Sequence, residues 1–90
     1  MNRNAQPITG RQLAAARILA GLGTRELAKL SSVSAPTITK LESMETITPG
    51  DDYHSPVRRT TLAKIVAALS DCGVRLCSEH HGVHSVGLRR

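Results

Sequence analysis

The stretch Thr24–Glu42, TRELAKLSSVSAPTITKLE, constrains the chain more than any other. Thr24 stands where an N-cap is expected, with Glu26 placed favourably in the positive first turn of the helix that follows. Leu27, Ala28 and Leu30 give that helix its expected inner side. Ser31 and Ser32 end it, and Val33 follows as a buried plug. Ser34 then caps a second helix, whose first turn holds Pro36 where a missing N–H costs nothing. Ile38 and Leu41 lie three apart and face inward, which turns Thr37, Thr39 and Lys40 outward with Ala35 and Pro36 at the tip. Two short helices joined by a tight turn result, the second with a small, hydroxyl-rich outer face.

The flanking segments read as support. Thr9 and Gln12 have the spacing of a capping box, and Ile8 can staple onto Leu13. Leu13, Ala16, Ile18, Ala20 and Leu22 are expected to form one apolar face, ended by Gly21 and Gly23. Residues Met1–Pro7 form a polar tail expected to be disordered, in which Arg3 is the one charge. Beyond Glu42, residues 43–59 hold Pro49, Gly50 and Pro56 and show no helical period. So long a loop is usually functional or mobile. Thr60 is expected to cap a fourth helix with Leu62, Ile65, Val66 and Leu69 inward, ended by Gly73. Val74 and Leu76, then Val83, Val86 and Leu88, alternate as two short strands about the turn Glu79-His80-His81-Gly82. A lone hairpin is marginal in water, so this one must pack on the helices or pair with another chain. The expected layout is a tail (1–7), a helical domain (8–73) with its long loop (43–59), and a hairpin (74–90). The fold class is mainly α, four helices with a short C-terminal β-hairpin.

Composition narrows the partner. Apolar residues make up 40% of the 90 positions but aromatics only 1%, so the core must be aliphatic. Single-strand nucleic-acid binding of the base-stacking kind needs aromatic platforms that are missing here. Twelve Lys and Arg against seven Asp and Glu give a net charge of +5, and a basic small domain points to a polyanion. No apolar run approaches the roughly 18 residues of a membrane span, and the N-terminus lacks a signal-peptide pattern. Two cysteines without an export signal point to free thiols in a reducing cytoplasm.

Gln12-Leu13 with Ala16-Arg17, then Leu27-Ala28, Val33-Ser34, Pro36-Thr37-Ile38 and Leu41-Glu42, resemble the Xre (Cro/repressor-type) helix-turn-helix family. The match covers residues 8–43, with a weaker echo in Thr60–Val74 and the terminal Val-Gly-Leu-Arg. The spacing has its own physical sense. Ala28 must be small where the next helix crosses it, Val33 fills the space under the turn, and Ile38 and Leu41 clamp the outer helix. Its N-terminal half is thereby left free to enter a groove about 12 Å wide. The resemblance implies a lambda-repressor-like fold that binds double-stranded DNA. It assigns base reading to Ala35, Pro36, Thr37, Thr39 and Lys40, and a phosphate contact to Arg25; Thr24 and Ser34, at the two helix N-termini, are further phosphate candidates because the amides there add neutral donors. Arg25 stands where Gln is more usual. Ser32 replaces the usual turn glycine, so it must adopt a left-handed conformation at modest cost. In the long loop, Arg58 and Arg59 are candidates for further phosphate contacts, and a solvated basic loop fits them equally well. His54 is more naturally a solvated residue.

One such helix covers too little DNA for strong specificity, so a homodimer is expected on a palindromic operator with half-sites about 34 Å apart. The strand Val83–Leu88 is the first candidate for the dimer contact, since an exposed edge invites strand addition. Repression by occluding a promoter is the expected outcome. The alternative is an antitoxin-like module that neutralises a toxin-like protein partner and binds DNA secondarily.

A metal reading competes at the C-terminus. Cys77, His80 and His84 have spacing a zinc ion could use, with Cys72 as a fourth ligand and His81 alongside. Against it, Cys72 at a helix end reads as a small core residue, and histidines around a turn are commonly just solvated. The expectation is no metal and no cofactor. Nor is an enzyme expected: there is no Gly-rich phosphate cradle, and no Ser/His/Asp set has a supporting motif. A Cys77–histidine nucleophile would need a pocket that so small a chain has little room to form.

Overall fold

The computed structural model describes residues 8–52, 55–78 and 84–88. It contains α1 (Gly10–Leu19), α2 (Thr24–Ser31), α3 (Ala35–Glu42), α4 (Arg59–Asp71), β1 (Val74–Ser78) and β2 (His84–Leu88). The chain is therefore mainly helical with a short terminal hairpin, as its periodicity indicates. The tail with Arg3, Tyr53 and His54, and the hairpin turn with His80, His81 and Val83 lie outside the described residues.

α1 starts as its sequence says. The Thr9 hydroxyl accepts from the Gln12 amide at 3.1 Å, and the Gln12 side chain accepts from the Thr9 amide at 2.8 Å. Leu13 and Ala16 are fully buried, and Ile8, Ala20 and Leu22 pack on the core from its margin. Ile18, expected inward, is 66% exposed. It lies two residues, about 200°, beyond Ala16, on the far side of the helix. Gly10 donates to the Met44 carbonyl at 2.9 Å, and a Cβ there would overlap the carbonyl oxygens of Glu42 and Met44. Glycine is what lets the start of α1 sit on the backbone that leaves α3.

α2 begins one residue earlier in the cap than expected. Gly23, not Thr24, is the N-cap, and the Glu26 carboxylate reaches back to the Gly23 amide at 2.7 Å. The inward seam runs from Leu27 to Ser31, whose hydroxyl donates to the Leu27 carbonyl at 2.7 Å. That i to i+4 seam leaves Leu30 off to one side, 56% exposed rather than inward. Ser32 takes the left-handed conformation, φ 60° and ψ 31°, and its amide and that of Val33 both turn back to the Ala28 carbonyl. Val33 is buried under the turn. α3 follows at once, capped by the Ser34 hydroxyl on the Thr37 amide.

The segment after α3 is more ordered in its role than a free loop. Ile47 and Val57 are core residues, fully and almost fully buried. Ile47 donates to the Ile8 carbonyl at 2.6 Å, and Gly50 donates to the Val57 carbonyl at 2.9 Å. The Arg59 amide in turn reaches the Gly50 carbonyl at 2.9 Å, which holds the chain extended at Arg58. Arg58 is therefore the N-cap of α4, and Thr60, expected to cap it, is already helical. Leu62, Ile65, Ala68 and Leu69 form the buried side of α4, and Gly73 ends it at φ +87°. Cys72 is the C-cap and is exposed, not part of the core.

β1 and β2 pair antiparallel, Val74 opposite Leu88 and Ser78 opposite His84. Val74 and Leu76 are buried while Arg75 between them is exposed, the alternation of a half-buried strand. β1 packs on α4 and α1, and β2 on α1. The hairpin thus meets its need for support within its own chain. Among the described residues, no helix is long and apolar enough to cross a membrane.

Candidate nucleic-acid interface

α3 is held from beneath by Ile38 and Leu41, 0% and 2% exposed. Its inner side meets α1 and α2. The opposite side presents Pro36, Thr39, Lys40 and Ser43, all exposed, at positions i, i+3, i+4 and i+7 of one helical stripe. Ala35 and Thr37, expected with them, are half-buried at its flanks. The Thr37 hydroxyl is already engaged with the Ser34 hydroxyl at 2.8 Å. Ser43 is the residue that sequence reasoning missed. Counting seven on from Pro36 would have found it, but the loss of helical pattern after Glu42 hid it.

Of the residues expected at phosphates, Arg25 and Ser34 are exposed at the starts of α2 and α3, and Thr24 is half-buried. The first amides of a helix have no partner within it, so those of Thr24, Arg25 and Ala35 remain as neutral donors. Arg58 and Arg59 are also exposed, at the start of α4 rather than beside α3. Arg59 is paired with Asp51 at 2.9 Å, with the side chains 61% and 81% exposed. So wet a pair contributes little and can exchange for another anion. These two arginines line a cleft of about 320 Å³ with Gly50, Asp51 and Thr60.

A second element of the site lies behind the stripe. The Arg17 guanidinium grips the Glu42 carboxylate with two bonds, 2.7 and 3.1 Å, and donates a third to the Leu22 carbonyl at 3.0 Å. Its side chain and that of Glu42 are only 16% and 13% exposed. The hydrogen bond to Glu42 raises the Arg17 pKa above its ordinary value; burial opposes the shift and the carboxylate's charge adds to it. This clamp joins α1, the connection into α2 and the last residue of α3. In the sequence both residues stand only as members of a spaced pattern; nothing there says that they touch across 25 positions.

No group of three or more histidine, cysteine or acidic side chains able to hold a metal occurs among the described residues. His80 and His81 lie outside them. The larger of these two surface clefts, about 540 Å³, is lined by Thr9, Arg11, Glu42, Ser43, Met44 and Glu45; the Glu42 carboxylate is held by Arg17 and the Ser43 hydroxyl donates to the Lys40 carbonyl. No protein-family model matches the chain, and no curated protein matches its sequence.

Proposed function

We propose that the protein is a sequence-specific double-stranded DNA-binding transcriptional regulator of the Xre (Cro/repressor-type) helix-turn-helix kind, with a lambda-repressor-like arrangement of its helices. The observation that carries this reading is the exposed stripe Pro36, Thr39, Lys40 and Ser43 on α3. It stands on a helix eight residues long, which follows α2 after a tight left-handed turn and is gripped from behind by buried aliphatics. A helix of this width with small side chains fits a B-DNA major groove. Arg25 and the first amides of α2 and α3 hold phosphates on either side, in the manner of such domains.

The stripe carries a single positive charge, so most of the affinity must come from elsewhere. A homodimer supplies it by doubling every phosphate contact and placing two copies of α3 on a palindromic operator. β2 pairs only with β1 among the described residues, which leaves its outer edge for a second copy. Promoter occlusion in the cytoplasm then gives repression without any catalytic step. The antitoxin-like alternative draws on a different observation, the exposed aliphatics Ile18, Leu19 and Leu30. A neighbouring gene's product that co-purifies stoichiometrically with the chain, and is inactivated by it, would favour that reading.

Selection from a pool of randomised duplex DNA with the purified chain tests the main reading. A two-fold symmetric consensus whose binding weakens steeply with salt is expected, because phosphate neutralisation releases counterions. A pool that yields no preferred sequence contradicts it.

A further inference from the structure

The outward chemistry of α3 also restricts which base pairs it can read. Bidentate recognition in the major groove uses Arg or Lys for guanine and Asn or Gln for adenine. Of these the segment from Ala35 to Ser43, APTITKLES, contains Lys40 alone. Its hydroxyls are also partly committed. Thr37 is bonded to Ser34 at 2.8 Å, and the Ser43 hydroxyl donates to the Lys40 carbonyl at 2.7 Å. What remains toward the groove is the Thr39 hydroxyl, the Lys40 ammonium, and apolar carbon: the Pro36 ring, the Ala35 methyl and the Thr39 methyl.

Thymine alone among the four bases offers an apolar group in the major groove, its C5 methyl. We propose that each half-site is recognised chiefly through thymine C5 methyl groups packed against Pro36 and Thr39, with Lys40 adding a contact to one guanine edge. This rests on the DNA-reading function proposed above and specifies its substrate. Small, rigid side chains suit the task. Pro36 is fixed in ring and backbone, Thr is stiff at χ1, and Ala35 has no rotamers, so packing onto a methyl costs little side-chain entropy. Discrimination follows from burial: a cytosine at the same place presents C5–H where thymine has its methyl, so the apolar carbon loses that contact.

The test takes the duplex selected from a random pool and replaces each thymine in turn by deoxyuridine, which removes only the methyl. The expected result is a loss of about fourfold at each thymine read by α3, the effect of one buried methyl group. Thr39→Ser removes the protein's methyl and keeps the hydroxyl. It should weaken binding to the thymine duplex by a similar factor and add no further loss on the duplex already carrying deoxyuridine opposite it, the signature of direct contact. Thr39 is exposed, so melting of this variant should match the parent. The proposal is overturned if the consensus has no thymine in the half-site, or if deoxyuridine changes affinity by less than about 1.5-fold at every one. It is also overturned if the Thr39→Ser loss is the same on both duplexes. A pool with no enriched sequence at all defeats the DNA-reading function itself, which is a different outcome from enrichment of a sequence read without methyls.

Discussion

Removing the Arg17 side of the clamp should be far more damaging than removing the whole ion pair. Arg17→Met keeps the stem of the side chain but leaves the Glu42 carboxylate, 13% exposed, without its partner at 2.7 Å. Breaking a fully buried pair in this way costs about 3–5 kcal/mol, and the remaining access to water places this one at the low end, about 3 kcal/mol. A domain of this size has roughly 5–13 kcal/mol of stability in all. Its melting temperature should therefore drop by roughly 12–24 °C. The double variant Arg17→Met with Glu42→Leu removes both charges and restores packing. Only the Leu22 carbonyl then lacks its donor, so a deficit of about 1 kcal/mol should remain. The assay is urea and thermal unfolding followed by circular dichroism at one fixed protein concentration, since the stability of any self-associating chain depends on it. The raised Arg17 pKa also fixes the pH behaviour. A raised group contributes stability at all pH below its unfolded value and loses it only on climbing past the folded one, which for an arginine lies far above neutral pH. The Arg17→Met deficit should thus be constant between about pH 7 and 10. A loss under about 0.5 kcal/mol for the single variant, or a double variant as unstable as the single, would refute the clamp as described.

Three further outcomes are expected. Gly10→Ala should destabilise by about 1–3 kcal/mol, because its Cβ meets backbone carbonyls that cannot move aside cheaply, and a urea titration will show the shift. Ser32→Gly should stabilise by about 0.5 kcal/mol, as relief of the left-handed strain slightly exceeds the glycine's added chain entropy; the same titration reads it. Arg25→Ala should lower affinity similarly for all DNA sequences and reduce the slope of log affinity against log salt by about one unit, measured by fluorescence anisotropy at several salt concentrations.

The helical framework was legible because its local signals agree with one another. The Thr9–Gln12 box, the Ser34 cap with Pro36 and the glycine at 73 each act within four residues, where sequence patterns speak directly, while the left-handed Ser32 follows from the helix-turn-helix resemblance. The errors came where a longer-range contact overrode a local cue. Arg58 caps α4 instead of Thr60 because its backbone is fixed by Gly50, and Gly23 displaces Thr24 because Glu26 satisfies the cap from inside the helix. Ile47 and Val57 were invisible as core residues, being isolated apolar positions in a segment without a period. Leu30 and Ile18 read as inward on hydrophobicity, but the angle about the helix puts them outside. On the candidate site, the scaffold side (Leu27, Val33, Ile38, Leu41) was readable from spacing. The clamp between Arg17 and Glu42, which holds that scaffold to α1, needed coordinates.

The central claim is that the exposed stripe of α3 meets DNA bases. Its most direct test is the affinity of the Thr39→Ala, Lys40→Ala double variant for the duplex selected by the parent chain, with unfolding measured alongside. Both side chains are exposed, so folding should be unaffected, and affinity should fall by about 1–3 kcal/mol, roughly fivefold to 150-fold. Parental affinity in a normally folded variant would contradict it.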